Sequence, residues 1–173
     1  VSKSASGWYV SIQTEQDVAD ATHTSTTPVG IDVGVKIFAA LSNGTTYEPA
    51  NSLRKLEKQL AKAQRNVTRK KKGSNNRKKQ IKKLALLHEK IANTRMDYLH
   101  KASTDISKNH AVVVLEDLKV SNMSRSAKGS VDNPGKNVKA KTGLNKSILD
   151  QGWSMFRNMI EYKLKYSDGE LIL

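Results

Sequence analysis

The sequence predicts an α/β fold in which helices pack on a mixed β-sheet and an antiparallel helical hairpin is inserted between two of the strands. Residues 29–36 and 111–115 are apolar and rich in β-branched side chains, which is typical of buried strands. The long segment between them contains apolar residues at helical spacing, which indicates amphipathic helices. No internal repeat and no second apolar core interrupts this order.

The first strands are predicted from short apolar runs and turn signals. Residues 8–12 form a short strand, and a polar, Thr-rich connector follows to residue 27. We assign residues 1–28 to the end of a preceding β domain and its linker. The core then begins with strand 29–36, and Ser42-Asn43-Gly44 turns the chain between two further strands, so that an antiparallel meander opens the sheet.

A helical hairpin is predicted over residues 53–108. Its first helix has apolar residues at alternating steps of three and four, and the polar run 70–76 interrupts it. The second helix has its own apolar stripe, and a short Gly/Asn turn favours an antiparallel pair with the apolar seam inside. The seam residues are Leu53, Leu56, Leu60, Ala63, Val67, Ile81, Leu84, His88, Ile91, Tyr98, Ala102 and Ile106.

The second half of the chain alternates strand, loop, helix and strand. Residues 111–115 predict a fully buried strand that is parallel to strand 29–36 and next to it, because a long helical crossover joins them. Residues 121–145 are polar and predict a mobile loop. Residues 149–164 predict one helix, and a strand begins at residue 170 after a turn.

The positive charge is concentrated in the predicted hairpin. The chain carries a net charge of +14, and residues 53–101 contain 17 Lys and Arg against three acidic residues, whereas the remainder contains 13 of each sign. A solvated face normally mixes both signs, so nucleic acid is the expected partner. We expect these side chains to contact the phosphate backbone: Arg69, Lys70, Lys71, Lys72, Arg77, Lys78, Lys79, Lys82 and Lys83.

The composition also excludes several classes of protein. The chain has no cysteine, which excludes a disulfide framework and a thiolate metal site. No apolar stretch is long enough to cross a membrane, so no membrane partner is expected. Val1 is not an initiating methionine, and we expect the chain to be part of a longer protein.

Two carboxylates occupy unusual places in the predicted strands. Asp32 interrupts one apolar strand, and Glu116 follows the end of the other. If the strands are neighbours, the two side chains converge and offer the hard oxygen ligands that Mg²⁺ or Mn²⁺ prefers. Two such ions would support phosphodiester hydrolysis. A solvated Glu116 and a turn-forming Asp32 are the alternative interpretation, and spacing alone leaves both open.

Several segments together resemble the TnpB/OrfB proteins of insertion sequences, which are related to type V CRISPR effectors. The resemblance covers residues 29–173 and is carried, in order, by Gly30–Lys36 (GIDVGVK), Lys71–Lys78 (KKGSNNRK), His88–Lys101, Leu115–Leu118 (LEDL) and Leu144–Lys163. It implies an RNase H-like (RuvC-type) fold, so that residues 29–173 form a partial nuclease domain.

The resemblance also implies a function and a site. Asp32 and Glu116 would be two of three acidic ligands of a two-metal Mg²⁺ or Mn²⁺ centre, and they would be catalytic. The partners would be a guide RNA and a DNA target, in the cytoplasm of a bacterial or archaeal cell. His88, Asn93 and Arg95 match the hairpin motif without an assigned catalytic role. Asp150 matches a recurrent acid that we interpret as structural.

The sequence departs from the family pattern at its end. The chain contains neither the zinc ribbon with its cysteine pairs nor the third catalytic aspartate that follows it, and zinc is expected only in that downstream ribbon. Because two ligands hold metal poorly, we predict that this chain alone is inactive. Two further functions stay open: a non-catalytic nucleic-acid-binding module, and a transposase that transfers DNA strands by the same metal chemistry. The sequence leaves the target motif and the oligomeric state undetermined.

Overall fold

The computed structural model describes residues 1–17 and 20–173 and has an α/β architecture with a mixed sheet. Residues 18 and 19, which belong to the predicted Thr-rich connector, lie outside the described residues. The strands are β1 Ser2–Lys3, β2 Trp8–Tyr9, β3 Pro28–Val33, β4 Ala39–Leu41, β5 Thr46–Tyr47, β6 Val112–Leu115 and β7 Glu170–Ile172. The helices are α1 Ser52–Thr68, α2 Asn75–Asn109, α3 Val120–Met123, α4 Val138–Gln151 and α5 Trp153–Tyr166.

The main sheet has five strands in the order β5-β4-β3-β6-β7. The pairs β5-β4 and β4-β3 are antiparallel, which confirms the predicted meander, and the pairs β3-β6 and β6-β7 are parallel. The register of β3 with β6 runs from Pro28 opposite Val112 to Ile31 opposite Leu115. The prediction that these two strands are parallel neighbours is therefore confirmed.

The buried side chains of β3 and β6 lie on one face of this sheet, so the prediction of fully buried strands is wrong. Val29 and Ile31 in β3 and Val113 and Leu115 in β6 are buried, whereas the residues between them are partly or largely exposed, and Val114 is 43% exposed. Side chains alternate between the two faces of a strand. An unbroken apolar run therefore does not reveal whether one face or both are covered. Strand β3 also ends at Val33, three residues earlier than predicted.

The covered face packs against helices of the second half of the chain. The core consists of β3, β4 and β6 side chains together with residues of α4, α5 and the end of α2. At its centre, the rings of Phe38 and Phe156 meet edge to face with their centroids 4.8 Å apart. The other fully buried side chains include Leu99, Ile106, Ile160 and Leu164.

The region 121–164 differs from the prediction of one loop and one helix. Helix α4 begins at Val138 and ends at Gln151, and Gly152 has a left-handed φ of 74° that separates it from α5. Glycine adopts this conformation without steric cost, so it ends one helix and starts the next in a new direction. Residues 121–145 contain the last part of α3 and the first part of α4. Their mobility stays a prediction.

The chain divides into two compact units, and each has its own structure. One unit comprises Val1–Ala19 and Asn51–Met96, with α1 and most of α2. The other comprises Asp20–Ala50 and Asp97–Leu173, and it contains the five-stranded sheet and its core. The predicted boundary between residues 28 and 29 stays a prediction.

The helices of the first unit bury few apolar side chains. The two predicted helices and the break between them are confirmed, but of the predicted seam residues in this unit only Val67 and Ile91 are buried, and Ile81 and His88 are exposed. The predicted strand 8–12 is reduced to β2, which pairs with β1. The hydroxyls of Ser4 and Ser6 donate to the Glu89 carboxylate, and the Ser4 bond lowers the pKa of Glu89.

Lys163 joins α5 to the end of α2 inside the second unit. Its Nζ donates to the His100 carbonyl oxygen at 2.8 Å, to Ser103 Oγ at 2.7 Å and to Thr104 Oγ1 at 2.6 Å. Ser103 is fully buried, and burial lowers the pKa of Lys163. Three oxygens thus meet the three donors of one ammonium group, which positions α5 along α2.

We predict that Lys163→Met lowers the free energy of unfolding by about 2 kcal/mol, because hydrogen bonds from a charged donor contribute about 1.5–3 kcal/mol. Lys165→Met is the matched control, since Lys165 lies on the same helix and is exposed; it should change stability by less than about 0.5 kcal/mol. Urea unfolding followed by circular dichroism measures both. Equal stability of the two variants would contradict the role of Lys163.

Candidate active site and nucleic-acid interface

The parallel pairing of β3 and β6 brings the two predicted acidic residues to neighbouring positions. Ile31 lies opposite Leu115 at the end of the ladder, and Asp32 and Glu116 are the next residue on each strand. Adjacent strands are about 4.8 Å apart. Both carboxylates are exposed, and Asp32 lies on the face of the sheet opposite to the buried Ile31.

A small cleft lies beside Glu116 at the carboxyl ends of β3 and β6. Its volume is about 50 Å³, and Glu116, Trp153 and Arg157 contribute to its lining together with apolar side chains. Trp153 is 5% exposed, and its indole Nε1 has no hydrogen-bond partner among the described residues. Arg157 Nη1 donates to Asp117 Oδ1 at 2.9 Å. Asp32 does not contribute to this lining.

The cleft residues on α5 were not predicted as part of a site. Trp153 and Arg157 are four residues apart, and this spacing places two side chains on the same face of a helix. The spacing was visible in the sequence, but nothing there indicated that this face lies beside Glu116. Trp153 and Arg157 lie beside Glu116 because α5 packs on the sheet.

The carboxylates of the second unit do not form a complete metal site. Within residues 1–17 and 20–173, no group of three or more His, Asp or Glu side chains is arranged so that it could hold a metal ion. Asp150, the other acid that matched the resemblance, is 7% exposed and lies at the end of α4. Asp32 and Glu116 are therefore neighbouring carboxylates that form no group of three with another His, Asp or Glu of the described residues.

The predicted phosphate contacts lie in the first unit, in a segment that we call the basic arm (Asn51–Met96). This segment has 16 Lys and Arg against two acidic residues. All nine predicted contact residues except Arg77 are exposed. Lys70, Lys79, Lys82 and Lys83 line one open groove of about 470 Å³. The groove thus concentrates four positive charges at a surface that water and ions reach.

Arg77 has a structural role that the sequence did not indicate. Its Nη1 donates at 3.1 Å to the carbonyl oxygens of Val67 and Lys70, at the end of α1 and just after it. The last carbonyls of a helix have no partner within the helix, and a cation there also interacts favourably with the helix dipole. Arg77, from the first turn of α2, therefore caps α1. It is less available to phosphate than the exposed lysines are.

Comparison with known proteins places the chain in a family. Residues 11–127 match the family model OrfB_IS605, which is described as "Probable transposase". The chain belongs to the OrfB family. Over 172 residues this OrfB-family chain is 54% identical to "Putative RNA-guided DNA endonuclease InsQ" of Escherichia coli, with 99% of the chain and 43% of that protein covered.

A second relative comes from Streptomyces pristinaespiralis and is named "Putative RNA-guided DNA endonuclease". It is 37% identical over 174 residues, which cover 100% of the chain and 39% of that protein. The OrfB-family chain thus spans about two fifths of the length of the curated relatives that it matches. The predicted resemblance to the TnpB/OrfB family is confirmed. Among the described residues, no helix is both long and apolar enough to cross a membrane.

We predict that Arg77→Met destabilises the basic arm by about 1–2 kcal/mol, because two carbonyls at the end of α1 lose a charged donor. Lys78→Met, at the exposed neighbouring position, should leave stability unchanged and weaken binding to nucleic acid instead. Thermal unfolding and fluorescence anisotropy with a labelled oligonucleotide separate the two effects. An Arg77→Met variant with unchanged stability would exclude the cap.

Proposed function

We propose that this chain supplies part of the active site and part of the nucleic-acid interface of an RNA-guided DNA endonuclease with an RNase H-like core. The observation that carries the proposal is the register of β3 with β6, which makes Asp32 and Glu116 neighbours at the end of a parallel pair. The relatives' names supply the reaction. Because the chain covers only part of those relatives, the activity is proposed for the longer protein.

The topology of the sheet supports an RNase H-like core. An antiparallel meander, β3 to β5, is followed by a helical crossover to the parallel strand β6, and α4 and α5 then lead to β7. The apolar pattern of the sequence predicted this order, except that it gave one helix in place of α4 and α5. Ligands and catalytic groups commonly gather at the carboxyl ends of parallel strands in such sheets.

The two carboxylates are the kind of ligand that a divalent cation prefers, but two ligands are too few to complete its site. Carboxylate oxygens on a rigid sheet suit Mg²⁺ or Mn²⁺, and Asp32 and Glu116 are both exposed to solvent. A divalent cation bound there would activate water and stabilise the leaving oxygen of a phosphodiester. In this proposal Asp32 and Glu116 are two of the ligands, and the pairing of β3 with β6 holds them at a fixed separation. A third ligand must come from elsewhere in the longer protein.

The basic arm supports a polyanionic partner. Its lysines are exposed and almost unaccompanied by acids, and four of them line one groove. Cations that contact phosphates release condensed counterions, which favours binding and makes it depend on salt. In the proposed endonuclease this surface holds guide RNA or the DNA paired with it.

The catalytic proposal is tested in a full-length relative whose matching region is replaced by this chain. With guide RNA and Mg²⁺, we expect Asp32→Asn and Glu116→Gln each to reduce target cleavage by at least about 100-fold, because each removes a charged ligand. Asp117→Asn is the matched control, since it neutralises the adjacent acid. This chain by itself should cleave nothing.

Cleavage that survives both Asp32→Asn and Glu116→Gln would contradict the active-site assignment and favour the non-catalytic binding module. Cleavage by the isolated chain would contradict its predicted inactivity. The control matters because Asp117 also pairs with Arg157, so a loss of activity in all three variants would point to a structural effect. The integrity of each variant is checked by its unfolding temperature.

A second candidate is DNA strand transfer, which the description of the matching family as "Probable transposase" favours. The same carboxylate pair serves both reactions, because a DNA 3′-hydroxyl can replace water as the nucleophile. An assay with a labelled donor end and a target plasmid separates them. Joined products favour transfer, whereas linear or nicked target without joined ends favours hydrolysis.

We predict that replacing the groove lysines Lys70, Lys79, Lys82 and Lys83 with Gln reduces the salt dependence of nucleic-acid binding by this chain. The slope of log K against log salt should fall by about 0.7–0.9 for each phosphate that the variant no longer neutralises. The matched control replaces four exposed basic residues of α1 that lie outside the predicted set: Lys55, Lys58, Lys62 and Arg65. Equal slopes in the two variants would mean that overall charge, and not the groove, determines binding.

A further inference from the structure

The chain contains a second basic segment, which the net charge of zero for the residues outside 53–101 does not reveal. Residues 119–146 carry seven Lys and Arg and one acid, Asp132. The other residues outside both segments carry six basic and 12 acidic side chains. The apparent balance therefore conceals a net charge of +6 in residues 119–146 and of −6 in the remaining residues outside 53–101. A solvated face normally carries both signs of charge, whereas residues 119–146 have seven basic residues for one acidic residue.

The charged groups of this segment lie at the surface. Six of its seven basic residues are exposed, and the exception is Lys141. Lys141 Nζ donates to the Met123 carbonyl oxygen at 2.6 Å, so it has a structural partner. The exposed members are Lys119, Arg125, Lys128, Lys136, Lys139 and Lys146.

The segment is held in place by polar contacts and by Val120 and Met123, which pack against the core. Asn145 Nδ2 donates to the carbonyl oxygens of Ser124 at 2.8 Å and Arg125 at 3.1 Å, which ties α4 to the chain that follows α3. Between the two helices, Gly129 and Pro134 form an isolated antiparallel bridge. The basic side chains therefore belong to a segment in which hydrogen bonds join α4 to the end of α3 and the chain that follows it.

The segment also starts beside the acidic pair, within the same compact unit. Lys119 follows Glu116 by three residues. Leu118 and Val120 line the same cleft as Glu116 and Arg157. A phosphodiester that approaches Asp32 and Glu116 meets repulsion from both carboxylates and from Asp117. A neighbouring surface of net charge +6 offsets that repulsion for the flanking phosphates.

We propose that residues 119–146 form a second nucleic-acid-binding surface, which holds the sugar–phosphate backbone of the DNA strand that reaches Asp32 and Glu116. The assignment to DNA rests on the proposed endonuclease function. The segment contains no aromatic residue, so it lacks the stacking platform that recognition of unpaired bases uses. It binds phosphates, and its binding is independent of base sequence.

The test compares two triple variants of this chain with the same change in charge. One replaces Lys128, Lys136 and Lys139 with Gln. The control replaces Lys101, Lys108 and Lys165, which are exposed lysines of the same unit outside the segment. Fluorescence anisotropy measures binding to a labelled 30-nucleotide DNA strand, and to RNA of the same sequence, from low to moderate salt in buffer without divalent cations.

We expect the salt slope of the segment variant for DNA to fall by about two units, because each neutralised phosphate of a single strand contributes about 0.7 to that slope. The control variant should keep the slope of the unmodified chain. Equal slopes for the two triple variants, or a decrease confined to RNA, would overturn the proposal. Unfolding temperatures confirm that both variants are folded.

This experiment is independent of catalysis. Binding without divalent cations requires neither cleavage nor a complete set of metal ligands. If Asp32→Asn and Glu116→Gln leave cleavage intact while the segment variant binds DNA weakly, the catalytic assignment fails and the binding surface stands. If those variants abolish cleavage while both triple variants bind DNA equally, the binding surface fails and the catalytic assignment stands.

Discussion

The parallel pairing of β3 with β6 is the contact on which the arrangement of this chain depends. It joins residues that are more than 80 positions apart in the sequence, from Pro28 opposite Val112 to Ile31 opposite Leu115. Closing so long a loop costs conformational entropy, and the buried side chains on one face of the sheet offset that cost. The same pairing makes Asp32 and Glu116 neighbours. The position of the acids is therefore a consequence of how the core is stabilised.

Charge and core are separated along this chain. The apolar residues that build the sheet and its helices lie in the second unit, whereas the basic arm is held by few buried side chains and by hydrogen bonds such as those of Arg77. Lysines repel one another when they are concentrated, so a surface of this kind costs stability. A polyanion that screens the repulsion would stabilise it. The residues that build the sheet are thus separate from those that carry most of the positive charge.

The second unit repeats this division on a smaller scale. The acidic residues Asp32, Glu116 and Asp117 are followed directly by a segment whose charge is almost entirely positive. Within that segment, Lys141 and Asn145 donate to backbone carbonyls at the end of α3 and just after it. Two polar side chains thus position several charged ones. Total charge conceals this pattern, since the opposite signs cancel in the sum.

The sequence by itself determined the order of the strands, the helical hairpin, the location of most of the positive charge and the family, because each depends on local periodicity, composition or ordered motifs. The tertiary structure decided what depends on distant contacts. It placed the buried strand side chains on one face of the sheet, so that Asp32 is exposed and not buried. It divided the last helix at Gly152, whose left-handed conformation apolar spacing cannot reveal. It also placed Trp153 and Arg157 beside Glu116.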